Sequence, residues 1–240
     1  MRLFVTLALI GLAGPAFAQE ITLDLGGGES LAGRSLFLIA GITLLSLAPG
    51  LAIMITCFPF IVTVMSILRQ GLGLQQSPPN MLIISLSLFL TWFIMEPVMM
   101  ESWTNGIKPL VDGQIELAPA FDLAMAPFRT FMSTRADPET FARLNDLRAN
   151  VSPYQGAMAD APLSTLVPSF MLSEITRAFE IGFLVFLPFL IIDLVVSAVL
   201  MSMGMMMVPP AVVALPFKLA FFVVADGWTL LSDALVRSYF

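Results

Sequence analysis

Apolar and polar positions along this chain come in long blocks rather than in a short alternation. Leu36 to Leu68 runs for 33 residues without a charge. A polar stretch, Arg69 to Asn80, separates it from a second apolar block, Met81 to Met95. Residues 101–165 are mixed, with polar and apolar side chains interspersed. A third block, Ile181 to Met203, leads through Gly204–Pro210 to a fourth, Ala211 to Leu231. Blocks this long and this apolar predict helices that face lipid or protein rather than water, and so an all-α membrane protein.

The block lengths fit a bilayer poorly. Thirty-three helical residues would reach about 50 Å, and Pro49-Gly50 is expected to break that run near its middle. Met81–Met95 falls short of the roughly 20 residues a span needs. Lys218 and Asp226 interrupt the fourth block. Helices of these lengths are better buried in protein than bathed in lipid. One chain cannot surround all of them, which predicts an oligomer.

A repeat ties the blocks together. Gly73 with Pro78-Pro79 and Gly204 with Pro209-Pro210 share the spacing Gly-x4-Pro-Pro. At nearly matched distances upstream stand Phe58-Pro59-Phe60-Ile61 and Leu187-Pro188-Phe189-Leu190. Glycine just past a helix end and proline at the next helix start are the usual placements. The reading is two tandem helical hairpins that turn at these residues. Between them, Phe121, Met125, Phe128 and Met132 fall on one helical face. Asp137 before Pro138 and Glu139 has the pattern of an N-cap, so 101–165 is expected to be a small helical insertion.

The first 18 residues read as a secretory leader: Arg2, the short apolar run Leu3–Ala13, then the small-x-small site Ala16-Phe17-Ala18. Cleavage between Ala18 and Gln19 would start the mature chain outside the membrane. Four crossings would then leave the insertion and Phe240 outside, with both mature termini periplasmic. The resulting division is 1–18 leader, 19–100 N-terminal segment and first hairpin, 101–165 periplasmic insertion, and 166–240 second hairpin.

Composition narrows the chemistry. The chain is 58% hydrophobic and 12% charged, with a net charge of −6, against about 25% charged for a soluble domain. Nucleic-acid binding would want a basic surface instead. There is no histidine, which removes His-based metal sites and Ser-His-Asp or Cys-His catalysis. No enzyme, cofactor or metal is expected. The single Cys57 reads as a small buried hydrophobe.

Two features remain. Asp193 and Lys218 stand inside the third and fourth blocks, where an unpaired charge is costly and a partner is expected. Counted from a turn near Val208, their depths differ by roughly 7 Å, so they could pair within one chain or across neighbouring subunits. Asp193 could alternatively serve as a proton relay in a coupled transporter. Met205-Met206-Met207 would sit at the tip of the second hairpin. Flexible thioethers suit a surface that must conform to varied partners, and a ring of such tips would form a soft constriction.

The stretches Arg69–Pro97 and Phe179–Trp228, with MGMMMVPP, LPFK and DGW, resemble the FliP/SctR family of type III secretion export-gate proteins. The leader and the Val-Pro-Pro ending favour the flagellar branch over the injectisome branch. Pro59-Phe60 departs from the Thr and basic residue found in other members. The resemblance implies a homo-oligomer, expected to be a pentamer, built with FliQ and FliR inside the flagellar basal body of the inner membrane, beside FlhA and FlhB. It implies that Met205, Met206 and Met207 form a gasket around a closed pore, and that Asp193 and Lys218 pair between adjacent subunits. Unfolded flagellar proteins would be the passengers.

Overall fold

A computed structural model describes residues 31–74, 78–148, 153–205 and 207–240. The Ala18-Gln19 site and Met206 lie outside them. All regular structure among the described residues is helical. The chain divides after Leu47 into two units, and all packing described here lies within the second, Ala48–Phe240.

The first helix, α1 (Leu31–Met54), continues through Pro49-Gly50 instead of breaking there. The break comes at Ile55–Cys57. There the Thr56 hydroxyl donates to the Ile53 carbonyl at 2.8 Å and accepts from the Phe58 amide at 3.3 Å. Proline at the first turn of the next helix, α2 (Phe58–Gly71), then restarts the chain.

Helix α2 is the centre of the packing. Phe60, Ile61, Val64, Met65, Leu68 and Leu72 recur at helical spacing and are all buried. They meet Ile94 and Met95 of α3 (Asn80–Ser102), Ala178 and Phe189 of α7 (Leu163–Ser202), and Leu235 of α9 (Gly227–Arg237). Cys57 is buried in the same core. At 14 residues, α2 is about 21 Å long and too short to span a hydrocarbon core.

Two of the expected block ends are corrected. The second block does not stop at Met95: α3 passes Glu96 and Pro97, enters a π-helical turn at Trp103–Ile107 and continues as α4 (Lys108–Val111). Asn80–Val111 is thereby 32 residues, and an 18-residue window within it has mean hydropathy 1.9. The third block begins far upstream, because α7 is one helix of 40 residues that runs through Pro168 and Pro188 and contains an 18-residue window of mean hydropathy 2.7. Charged residues marked the apparent block ends, but a helix continues wherever its backbone bonds and one packed face continue.

The fourth block is bent. Helix α8 (Pro210–Val224) meets α9 at 61°, where Asp226 takes a left-handed conformation (φ 47°). Aspartate is among the few residues that tolerate it. Two described helices are long and apolar enough to cross a membrane, or three if α8 and α9 count as one, where the sequence suggested four.

The described residues of 101–165 are largely helical, as expected. Helix α5 (Leu117–Arg135) buries Met132 and half-buries Phe128, while Phe121 stays exposed. Its contact with the π-helical turn is close: a Cβ on Gly106 would lie 2.5 Å from the Ala124 backbone nitrogen. Helix α6 (Pro138–Asp146) starts on Asp137, whose Oδ2 accepts from the Thr140 amide at 2.8 Å. A second small core of Met132, Ala136, Leu166 and Phe170 holds α5 to the upper part of α7.

Candidate functional site: two turns and two buried ionic joints

The two Gly-x4-Pro-Pro turns open alike, each on a left-handed glycine two residues past a helix end. Helix α2 ends at Gly71, and Gly73 follows in the left-handed region at φ 75°. Helix α7 ends at Ser202, and Gly204 follows at φ 70°. Only glycine adopts this conformation at no steric cost. Pro79 immediately precedes α3, and Pro209 precedes α8, which begins on Pro210. Pro78 and the described residues near it belong to the first turn. The upstream prolines differ, for Pro59 opens α2 while Pro188 lies inside α7.

At the tip of the α7–α8 turn, the Gly204 amide donates to the Met201 carbonyl at 3.1 Å and the Met205 amide to the Leu200 carbonyl at 3.0 Å. These bonds cap α7, and Met205 and Met207 follow beyond the cap. Met207 is 98% exposed and Met205 46%. Behind the tip, α7 and α8 leave an apolar groove of about 530 Å³, lined by Ile192, Val196, Leu200, Met205, Val213 and Phe217 among others.

Asp193 and Lys218 meet within one chain. Lys218 Nζ donates to Asp193 Oδ2 at 2.6 Å and to the Gly71 carbonyl at 3.0 Å. The lysine side chain is 7% exposed and the aspartate 37%. Asp193 Oδ1 has no donor. Of the two arrangements the sequence left open, the chain by itself closes the first.

A second ionic joint was not legible. Glu174 of α7 is fully buried and receives Arg135 Nε at 3.0 Å, Arg177 Nη1 at 3.2 Å and the Tyr239 hydroxyl. Arg135, the last residue of α5, also donates to the Ser238 carbonyl at 2.9 Å and lies over the Tyr239 ring, 4.1 Å from its centroid. Burial first, then the Glu174 charge, pushes the Tyr239 pKa upward, so its hydroxyl remains a donor. One carboxylate thus joins the insertion, the long helix and the segment after α9. Its partners stand 39 and 65 residues away in sequence. The only sequence signal was an acid within a largely apolar helix. Among the described residues, no group of three or more His, Cys, Asp or Glu could hold a metal ion.

Known proteins decide the lineage. The model of the FliP family matches residues 41–235. The chain belongs to the FliP family. It is 50% identical over 225 residues to the flagellar biosynthetic protein FliP of Caulobacter vibrioides, covering 93% of this chain and 84% of that one. It is 44% identical to the protein of that name in Agrobacterium fabrum, over 100% of this chain and 99% of that one. With the Bacillus subtilis protein, identity is 45% over 82% and 89% of the two. FliP is a flagellar biosynthetic family and not a family of enzymes, and the candidate spans of this member make it a membrane protein.

Proposed function

We propose that this chain is a pore-forming subunit of the flagellar export gate, through which unfolded flagellar proteins cross the inner membrane. In this reading it is two tandem helical hairpins, α2–α3 and α7–α8, interrupted by a periplasmic insertion. The mature chain starts at Gln19 with both termini periplasmic. Copies assemble, as a pentamer, with FliQ and FliR beside FlhA and FlhB.

The observation that carries this reading is the exposed methionine tip. Met207 stands almost wholly free at a glycine-capped turn joining two apolar helices. An unbranched thioether there has nothing in its own chain to pack on, and it can conform to whatever lies opposite. The exposed apolar faces support an oligomer. Leu184, Ile191, Leu194, Val195 and Val199 of α7 and Phe89, Trp92 and Phe93 of α3 all face outward, more apolar surface than an ordinary monomer leaves bare. At 40 residues α7 is about 60 Å long, roughly twice a hydrocarbon core. Part of it therefore stands clear of the bilayer.

The rival reading, a proton-coupled transporter, needs Asp193 to take up and release a proton. Its carboxylate is already neutralised by Lys218. Changing Met205, Met206 and Met207 together to Ala is the direct test. Small-ion leakage through the assembled complex should rise while assembly on native gels is retained. Unchanged leakage would remove the gasket, and pH-dependent uptake by this chain alone in liposomes would favour the transporter.

A further inference from the structure

Lys218 makes two contacts, and only one is to its counter-charge. Its Nζ also donates to the Gly71 carbonyl at 3.0 Å. Gly71 closes α2, and the last carbonyls of a helix lack donors of their own and carry the negative end of its dipole. The ammonium therefore caps the C-terminus of α2 from another helix. Gly73 lies against the same site: a Cβ there would stand 3.8 Å from Leu215 Cδ1 and 3.9 Å from Lys218 Nζ. The first turn is thus seated on α8 at Leu215–Lys218. Between this seat and the Met tip, the walls of α7 and α8 are apolar and leave the groove already described. Among the described residues, no side-chain hydrogen bond joins the two helices beyond Lys218 toward the tip.

We propose that Lys218 is a positioning residue: it fastens the first turn, Gly71–Gly73, to the second helix pair, and that seat sets where the Met205–Met207 tip stands. The proposal rests on the pore reading for its link to leakage, but not for the fastening itself.

It reverses the order that the ion pair alone would give. If Lys218 served only Asp193, then Asp193→Asn would be the worse change, because it strands a buried ammonium. Lys218→Met would strand the less buried partner, since the Asp193 side chain is 37% exposed and that of Lys218 7%. If Lys218 fastens the turn, Asp193→Asn leaves Nζ on the Gly71 carbonyl, and Lys218→Met frees the turn.

Two readouts on the assembled complex separate these cases. The first is maleimide labelling of Leu74→Cys beside the turn, in a Cys57→Ser background. Labelling should accelerate with Lys218→Met, stay near the parent rate with Asp193→Asn, and be protected again with Lys218→Arg, whose guanidinium can reach the same carbonyl. The second is small-ion leakage in vesicles. It should rise about tenfold with Lys218→Met, the shift in a closed–open equilibrium expected from losing one hydrogen bond to a charged group, and less than with the triple Met→Ala change. Equal or faster labelling in Asp193→Asn overturns the fastening, as does failure of both single variants to assemble. If the triple Met→Ala change leaves leakage unaltered, the gasket fails while labelling still decides the fastening.

Discussion

The chain holds two buried ionic joints on one helix, and they are built to opposite plans. At Glu174 the carboxylate is fully buried and receives two guanidinium groups and a phenol from three parts of the chain. At Asp193 the side chain is 37% exposed, and its carboxylate has a donor at Oδ2 but none at the buried Oδ1. Desolvating a carboxylate costs several kcal/mol, which only dense donors offset. The Glu174 joint meets that requirement within the chain. The Asp193 joint leaves that requirement unmet at one oxygen, the buried Oδ1. The first is a fixed joint of the subunit. The second is the looser joint, with fewer donors and a more exposed side chain.

The sharpest way to break the contrast is to remove each carboxylate. Glu174→Ala strands Arg135 in a buried position and is expected to cost about 3–5 kcal/mol. Asp193→Asn leaves Lys218 its Gly71 partner and should cost about 2 kcal/mol. Thermal unfolding of the detergent-solubilised chain compares them, and equal losses would erase the distinction. Tyr239→Phe removes one of Glu174's three donors and should cost about 1 kcal/mol. A neutral outcome would assign the joint to the arginines alone.

The smallest effect lies outside both joints and serves as their baseline. The Thr140 amide, and next its hydroxyl, hold the Asp137 pKa below the ordinary carboxylate value. A depressed folded-state pKa gives stability that is present above the unfolded value, about 3.9. That stability is lost as pH falls through the folded one. Asp137→Asn should therefore lower stability slightly at neutral pH, leave it unchanged in strong acid, and so flatten the acid limb of the unfolding profile.

What could be read from sequence was what local chemistry dictates. The turns at Gly73 and Gly204 were legible because a left-handed residue calls for glycine, and the Asp137 cap because its donors lie within one helical turn. Lys218 and Asp193 could be matched by counting depth from a shared turn. Glu174 could not be matched to Arg135 or Tyr239, since nothing local places residues so far apart in one pocket. The Gly71 carbonyl was invisible for a different reason, being a backbone group with no signature in the residue type. Helix ends were misjudged where a charge or a proline was taken as a stop: Pro49 and Glu96 both lie inside helices whose backbone bonding continues around them.

Both joints lie on α7, which is continuous between them. Nineteen residues separate Glu174 from Asp193, about 28 Å, and eleven more reach Gly204, about 16 Å. Treated as a rod resting at Asp193, the helix is a lever with unequal arms. A sideways displacement of 1 Å at the insertion would swing the methionine tip by about 0.6 Å in the opposite sense. Motion imposed on the insertion would reach the tip reduced in size and reversed in direction.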